Sequence, residues 1–376
     1  MAIEGMSILR LAWENCFARN DPGGSGVYAA RLLEQLSHRS DLCTTVLNGW
    51  PENISGTNFA SRALRISGKM LWTHAHLPAV LWKHGFDLLH SPALIAPVAA
   101  PCPLVITIHD MTYLLYPEHF AAWWVSYLKS VMPLAVRSAS AIICGSEHSK
   151  RDIVQAYKIA CDKVHVIPYG VDLDRFHPGA TLDSDWARSH GIREGYLLHV
   201  GVFSRRKNIP FLLRAVAQLR AKNGGRAVQL VLAGAELSAL KGADEIHETI
   251  RELNLANSVV LTGRVPDRYM PGLYAQAGAL VMPSLYEGFG FPILESMASG
   301  TPVVASNTSS LPEVAGDAAI LVPPTDELSL ADAIEDVITN PRTVEELRTK
   351  GLKRAKQFNW QRTASETVEV YRTVVR

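Results

Sequence analysis

At 376 residues the chain exceeds what one hydrophobic core usually organises, which implies two domains, each with a substantial interior. Nearly half the residues are hydrophobic (48%), the formal net charge is +1, and lysine and arginine are spread along the chain. That pattern excludes a general nucleic-acid binder, so any anionic ligand must be held locally.

The N-terminal stretch MAIEGMSILRLAWEN has no basic region ahead of a long apolar run. The best apolar run, LIAPVAAPCPLVITI, is too short to span a bilayer and carries three prolines, so a cytoplasmic protein is expected. Five cysteines, odd in number and without CxxC spacing, give no sign of zinc and read as buried thiols of a reducing compartment. Short β-branched runs follow in order: SILRLAW, LCTTVL, FDLLH, PLVITIH, SAIICGS and KVHVIPYG, then YLLHVG, QLVLAG, SVVLTG, ALVMPS, PVVAS and AAILV. The segments between them carry helical spacing, as in GVYAARLLEQL, with Val27, Leu32, Leu33 and Leu36 near one face, and in NIPFLLRAVAQLRAK. This alternation predicts two doubly wound α/β domains with parallel sheets. The polar stretch YGVDLDRFHPGATLDSD separates them, giving domains at 1–180 and 190–358.

In open parallel sheets ligands sit beyond the carboxyl ends of the strands. After PLVITI come His109 and Asp110, after YLLHV comes GVFSRRKN, and after SVVLT comes GRVPDRYM, which contains Val265. After ALVMP comes SLYEGFGFPILES, with Glu287 and Glu295 flanking residues that suit neither a strand nor a helix. Gly288, Gly290 and Pro292 predict an irregular loop through Phe289, with Pro292 in the first turn of a helix that continues through Ile293, Leu294 and Met297. Such a loop exposes backbone N–H groups at a helix N-terminus, a combination suited to an anion or to sugar hydroxyls. Two carboxylates there can accept hydrogen bonds from two ends of one sugar nucleotide. Taken singly, Glu287 also reads as a solvated loop acid and Glu295 as a helix-dipole partner.

The stretch EGFGFPILES resembles the glutamate, seven residues, glutamate pattern of retaining glycosyltransferases of family 4, which have the GT-B fold of two Rossmann-like domains. The resemblance extends through GGSGVYAARLL, IHD, GSEHSKRDI, VIPYGVD, VGVFSRRKN and ASGTPVVASNTSSLPEVAGDAAILVPP. It implies a nucleotide diphosphate sugar bound by the C-terminal domain, with Glu295 on the ribose, Glu287 near the donor sugar, and Gly288, Phe289 and Gly290 touching that sugar. Val265 joins the donor-binding set, and Arg206 and Lys207 match a basic pair that neutralises the diphosphate. Gly23 and Gly24 match a loop that closes over the distal phosphate, and His109 matches a histidine at the donor sugar. Many relatives carry arginine directly after the strand-end glycine; here Gly201 is followed by Val202, so Arg205 and Arg206 must supply its role. The resemblance also implies that the last segment, 360–376, packs back on the N-terminal domain.

These cations and amides can stabilise a departing diphosphate, so neither a metal nor another cofactor is expected. The resemblance to relatives with the RKN stretch mildly favours GDP-mannose as donor, with UDP-glucose and UDP-N-acetylglucosamine close behind. A sugar-nucleotide epimerase and a catalytically idle sugar-nucleotide-binding subunit remain alternatives. The acceptor is expected to be a glycan or a lipid-linked glycan. RALRISGKMLWTHAHLPAVLWKHG carries Arg62, Arg65, Lys69, Trp72, Trp82 and Lys83, and AAWWVSYLK adds Trp123, Trp124 and Lys129. These read either as a face that docks on a membrane or as helices that pack their tryptophans inside.

Overall fold

The computed structural model describes residues 8–375 apart from 20, 22, 50–58, 223–227 and 236–242. The chain divides into two units, one drawn from 1–111, 123–170 and 360–376, the other from 112–122 and 171–359. The short segment 112–122, which chain order places in the first domain, thus groups with the second unit.

Among the described residues the first unit holds β1 (Leu9–Glu14), β2 (Leu42–Leu47), β3 (Leu88–Ser91), β4 (Leu104–Thr107), β5 (Ala141–Cys144) and β6 (Val164–Val166). The second holds β7 (Leu197–Val200), β8 (Leu230–Ala233), β9 (Val259–Gly263), β10 (Ala279–Met282), β11 (Val303–Ser306) and β12 (Ile320–Val322). Each set forms one parallel sheet, in the orders β2-β1-β3-β4-β5-β6 and β12-β11-β10-β7-β8-β9. Central strands such as LVIT, LVLA and ALVM are buried at every position, because helices cover both faces. In each sheet the winding reverses once, between β1 and β3 and again between β7 and β10, and each reversal opens a crevice at the strand ends.

Two expectations are corrected. The helix Gly24–Ser37 buries Tyr28, Ala29, Leu32 and Leu36, while Val27 is exposed and Leu33 only partly covered. The i, i+4, i+8 row through Tyr28 faces the sheet, and Val27 lies off that row. Of the cysteines, Cys16 and Cys144 are buried and Cys102 is intermediate, but Cys43 and Cys161 are exposed. Cys43 sits on β2, an edge strand whose faces alternate, and Cys161 in a 3-10 turn.

The aromatic segments divide as well. Trp72 stacks on His76, in a π-helical turn at Trp72–His76, and Trp124 stacks on Tyr127, whereas Trp82 is 79% exposed and Trp123 52% exposed. Lys69 turns inward, its ammonium donating to the Cys16 carbonyl at 3.4 Å, and the side chains of Arg62 and Arg65 lie outside the described residues. No helix among the described residues is long and apolar enough to cross a membrane.

The helix Trp360–Val375 belongs to the first unit. Its Tyr371 hydroxyl meets His90 Nδ1 at 2.5 Å, and Thr363 Oγ1 donates to the Pro168 carbonyl at 2.8 Å.

Candidate active site

In the second unit the loops after β7 and β10 meet at the point of reversal. After β7 the chain passes Gly201 and makes a 3-10 turn, Arg205–Lys207, which ends at Asn208 in the left-handed region (φ 56°). Asn208 is held by its side-chain amide donating to the Pro324 carbonyl at 3.0 Å. A Cβ on Gly201 would stand 2.8 Å from Lys207 Cε, and Gly201 itself has φ 152°, so a bare backbone is what lets the lysine stem lie here. After β10 the chain runs through Glu287 and Gly288 to Gly290 (φ 113°), which caps the helix Phe291–Ala298 with Pro292 in its first turn. The two loops are stitched together where Leu285 N–H donates to the Arg206 carbonyl at 2.7 Å and Arg206 Nη1 donates to the Tyr286 carbonyl at 3.0 Å. The loop after β11 adds a clamp, with Ser310 Oγ donating to the carbonyls of Glu287 (2.9 Å) and Phe289 (2.8 Å).

This stitching brings three charged side chains together. Lys207 Nζ donates to Glu287 Oε1 at 2.6 Å, and Arg206 Nη1 donates to Oε2 at 2.7 Å. Burial alone would raise the Glu287 carboxyl, but Arg206 and Lys207 outweigh it and hold the group down to about 2. The pair read from sequence as facing a diphosphate thus rests on Glu287 in this structure. Of the two arginines beside it, only Arg206 reaches the carboxylate; Arg205 turns outward, 3.7 Å from Glu245. Glu295 stands one helical turn inside Phe291–Ala298 and accepts a hydrogen bond from the Tyr274 hydroxyl at 2.7 Å. Burial raises its carboxyl, against the lowering pull of Tyr274 and Arg175. Val265 is buried in the loop after β9, and Asp267, two residues on, acts electrostatically on Glu295.

The first unit builds its reversal point around the His109 imidazole and its tyrosine neighbours. Gly23 N–H donates to Asp21 Oδ1 at 2.8 Å, and Gly24 opens the helix that carries Tyr28. Tyr28 meets the His109 ring edge-on at 5.0 Å. His109 Nε2 lies 3.0 Å from the Pro92 carbonyl, which can only accept, so Nε2 carries the proton and Nδ1 accepts from the Tyr169 hydroxyl at 2.8 Å. Burial lowers the His109 imidazole, against raising contributions from Pro92, Asp110 and Asp21. Both ring nitrogens are therefore engaged by protein, and a substrate group would have to displace one of them. Glu14, at the end of β1, is fully buried: one oxygen accepts from Cys16 N–H at 2.8 Å and the other has no partner. Burial pushes this carboxyl up to about 8, with the Cys16 bond and Lys69 opposing.

Sequence reasoning missed Tyr274, Tyr169, Glu14 and His199. His199, the penultimate residue of β7, is buried beside the ion triad, its Nδ1–H donating to the Val281 carbonyl at 2.9 Å, and burial first and Lys207 second push its imidazole down to about 4. Tyr169 lies within a quoted motif and Tyr274 just beyond one, but nothing in a strand-end pattern says where a tyrosine hydroxyl points.

Two six-stranded parallel-sheet units of this kind have the architecture of the GT-B fold. Residues 184–357 match the family described as glycosyl transferases group 1, and residues 22–175 match glycosyltransferase family 4. Over 271 residues the chain is 31% identical to O-antigen chain mannosyltransferase B of Escherichia coli, covering 71% of this chain and 70% of that protein. Over 354 residues it is 30% identical to an MMP alpha-(1->4)-mannosyltransferase of Mycolicibacterium hassiacum, covering 89% of this chain and 78% of that protein. The crystal structure of Anabaena HepE in complex with UDP and glucose superposes with a TM-score of 0.72 at 22% identity, covering 97% of this chain and 100% of that one. The chain belongs to the group 1, family 4 glycosyltransferases and is a hexosyltransferase.

Proposed function

We propose that the protein moves a hexosyl unit, mannosyl by preference, from a nucleotide diphosphate sugar to a hydroxyl of a glycan or lipid-linked glycan, with retention of anomeric configuration and without a metal. The observation that carries this reading is the Arg206–Lys207–Glu287 triad at the β7/β10 reversal, with Glu295 one turn into the helix that follows. Breaking the bond from sugar to phosphate builds negative charge on the leaving diphosphate, and cations fixed beforehand stabilise it more than they stabilise the ground state. In this reading Arg206 and Lys207 share their N–H groups between Glu287 and the diphosphate. The Gly288–Gly290 backbone and Val265 contact the donor, and Glu295, with Oε2 held by Tyr274, offers Oε1 to a ribose hydroxyl. The departing phosphate takes the proton of the acceptor hydroxyl on the same face of the sugar.

Two mannosyltransferases among the relatives favour a mannosyl donor, while HepE with UDP and glucose keeps UDP-sugars in play. Exposed Leu64, Leu71 and Trp82 along one helical segment support contact with a membrane surface, which pelleting with anionic vesicles tests. The deciding experiment is calorimetry against GDP-mannose, UDP-glucose and UDP-N-acetylglucosamine, followed by NMR of the anomeric proton in the product. Micromolar binding of one donor and an anomer matching that donor support the reading. Failure to bind any of the three overturns it, and transfer abolished by EDTA overturns the metal-free part.

A further inference from the structure

Beside the ion triad the second unit carries three neighbouring rings. Tyr286, the residue before Glu287, meets Tyr116 with centroids 5.9 Å apart, and Tyr116 lies parallel to His119 at 5.6 Å, with 5° between the ring planes. Tyr116 and His119 come from the segment 112–122, the excursion from the first half of the chain that packs as part of this unit. His119 is 5% exposed, yet neither ring nitrogen has a hydrogen-bond partner. The nearest carboxylate oxygen, on Glu118, stands 3.9 Å from Nε2, beyond hydrogen-bond range.

A neutral imidazole offers one donor and one acceptor, and leaving either unmet in the interior carries its full desolvation penalty. Native structures keep such orphans where a ligand or water completes them. The surrounding charge says what kind of partner is missing. Burial lowers the His119 imidazole, with Glu118 opposing and Arg206 and Arg205 adding to the fall; Arg206 also acts on the Tyr116 hydroxyl. Arg206 is committed to Glu287, but Arg205 is more than half exposed and its contact with Glu245, at 3.7 Å, is a weak, solvent-screened surface pair. Its guanidinium can turn to a better anion at little cost.

We infer that His119 and Arg205 form a subsite for an oxyanion carried by the acceptor, so that the acceptor is an acidic saccharide bearing a phosphate or a carboxylate. The N–H of His119 and the guanidinium of Arg205 donate to the oxyanion, and the bare ring nitrogen accepts from a neighbouring sugar hydroxyl. Tyr116 holds the imidazole by stacking. This inference rests on the transferase reading and deepens it by naming the acceptor class.

The test uses the full chain saturated with GDP or UDP, whichever binds. Mannose 6-phosphate, glucuronate and neutral methyl α-mannoside are titrated in, with saturation-transfer NMR as readout. The expected result is at least tenfold tighter binding of one acidic sugar than of the neutral one, and the preferred probe separates phosphate from carboxylate. His119→Phe keeps a ring against Tyr116 but removes both nitrogens; it should lose that preference while its Tm holds or rises, since an unmet polar burial is gone. Arg205→Gln, an exposed change, should lose most of the preference too. Equal binding of acidic and neutral sugars overturns the proposal. So does a His119→Phe variant that loses nucleotide affinity but keeps acidic-sugar binding, because the imidazole then serves the donor diphosphate. A wild-type chain that binds no nucleotide sinks the transferase reading itself, a different outcome from these.

Discussion

Glu14 and Glu287 are both sealed from water where a sheet reverses its winding, one ending β1 and the other following β10, and they settle in opposite states. Glu14 has a single backbone donor and a distant lysine, so burial wins and the carboxyl rises to about 8. Glu287 suffers the same burial, but a guanidinium and an ammonium within hydrogen-bond reach turn the balance, and it falls to about 2. The same topology at comparable depth thus yields a neutral acid in one unit and an anion in the other. What decides ionisation is whether charge is supplied within about 3 Å, because only there does the attraction exceed the desolvation penalty. The second unit gathers two cations on one carboxylate at its reversal point; the first leaves Glu14 with only a backbone donor and joins His109 to Tyr169 by a hydrogen bond.

The sharpest way to break this contrast is Glu287→Ala, which leaves two cations facing each other with no carboxylate between them. It should cost about 3–5 kcal/mol in urea unfolding, as expected when one member of a buried ion cluster is removed. Lys207→Ala should lower kcat by about 10²–10³, the usual effect of losing one preorganised electrostatic donor; a fall below threefold in a folded variant would show that the lysine only neutralises Glu287.

The pH dependence sharpens the contrast further, because the two acids pull in opposite directions. Glu287, with a lowered folded value, stabilises the fold above its ordinary 4.5 and loses that contribution as pH falls toward 2. Glu14, with a raised value, favours folding below 4.5 and withdraws that stability as pH climbs to about 8. Glu14→Gln should therefore flatten stability between pH 5 and 8, gaining on the order of 2–4 kcal/mol relative to wild type across that window. Parallel wild-type and variant curves would mean Glu14 finds a partner in solution. The smallest effects are expected at the ribose end. Glu295→Ala should raise donor KM about tenfold with kcat changed less than threefold, and Tyr274→Phe should raise KM about threefold, since such contacts hold ground and transition states alike.

Much of this was legible beforehand, for reasons that lie in local chemistry. β-branched runs alternating with helical spacing specify two wound sheets, and Gly290 with Pro292 can hardly do other than end a loop and start a helix. The partners of the site residues were not legible, because they depend on which loops the winding reversal brings side by side. Arg206 and Lys207 lie 81 and 80 residues from Glu287, and no spacing rule links them. Val27 failed for a smaller reason: one residue of helical phase separates it from the buried row at Tyr28. The exposure of Cys43 followed from an edge strand, and edges are set by topology, not by the composition of the strand.

The helix Trp360–Val375 completes the unit that the first residues begin, through contacts such as Tyr371 to His90, 281 positions apart. During synthesis the first unit therefore waits, unsealed, while the whole second unit emerges from the ribosome and can fold ahead of it. The part made first becomes the part finished last, and a chaperone that shields nascent chains would find its substrate in the open flank of β3 and the Gly24–Ser37 helix.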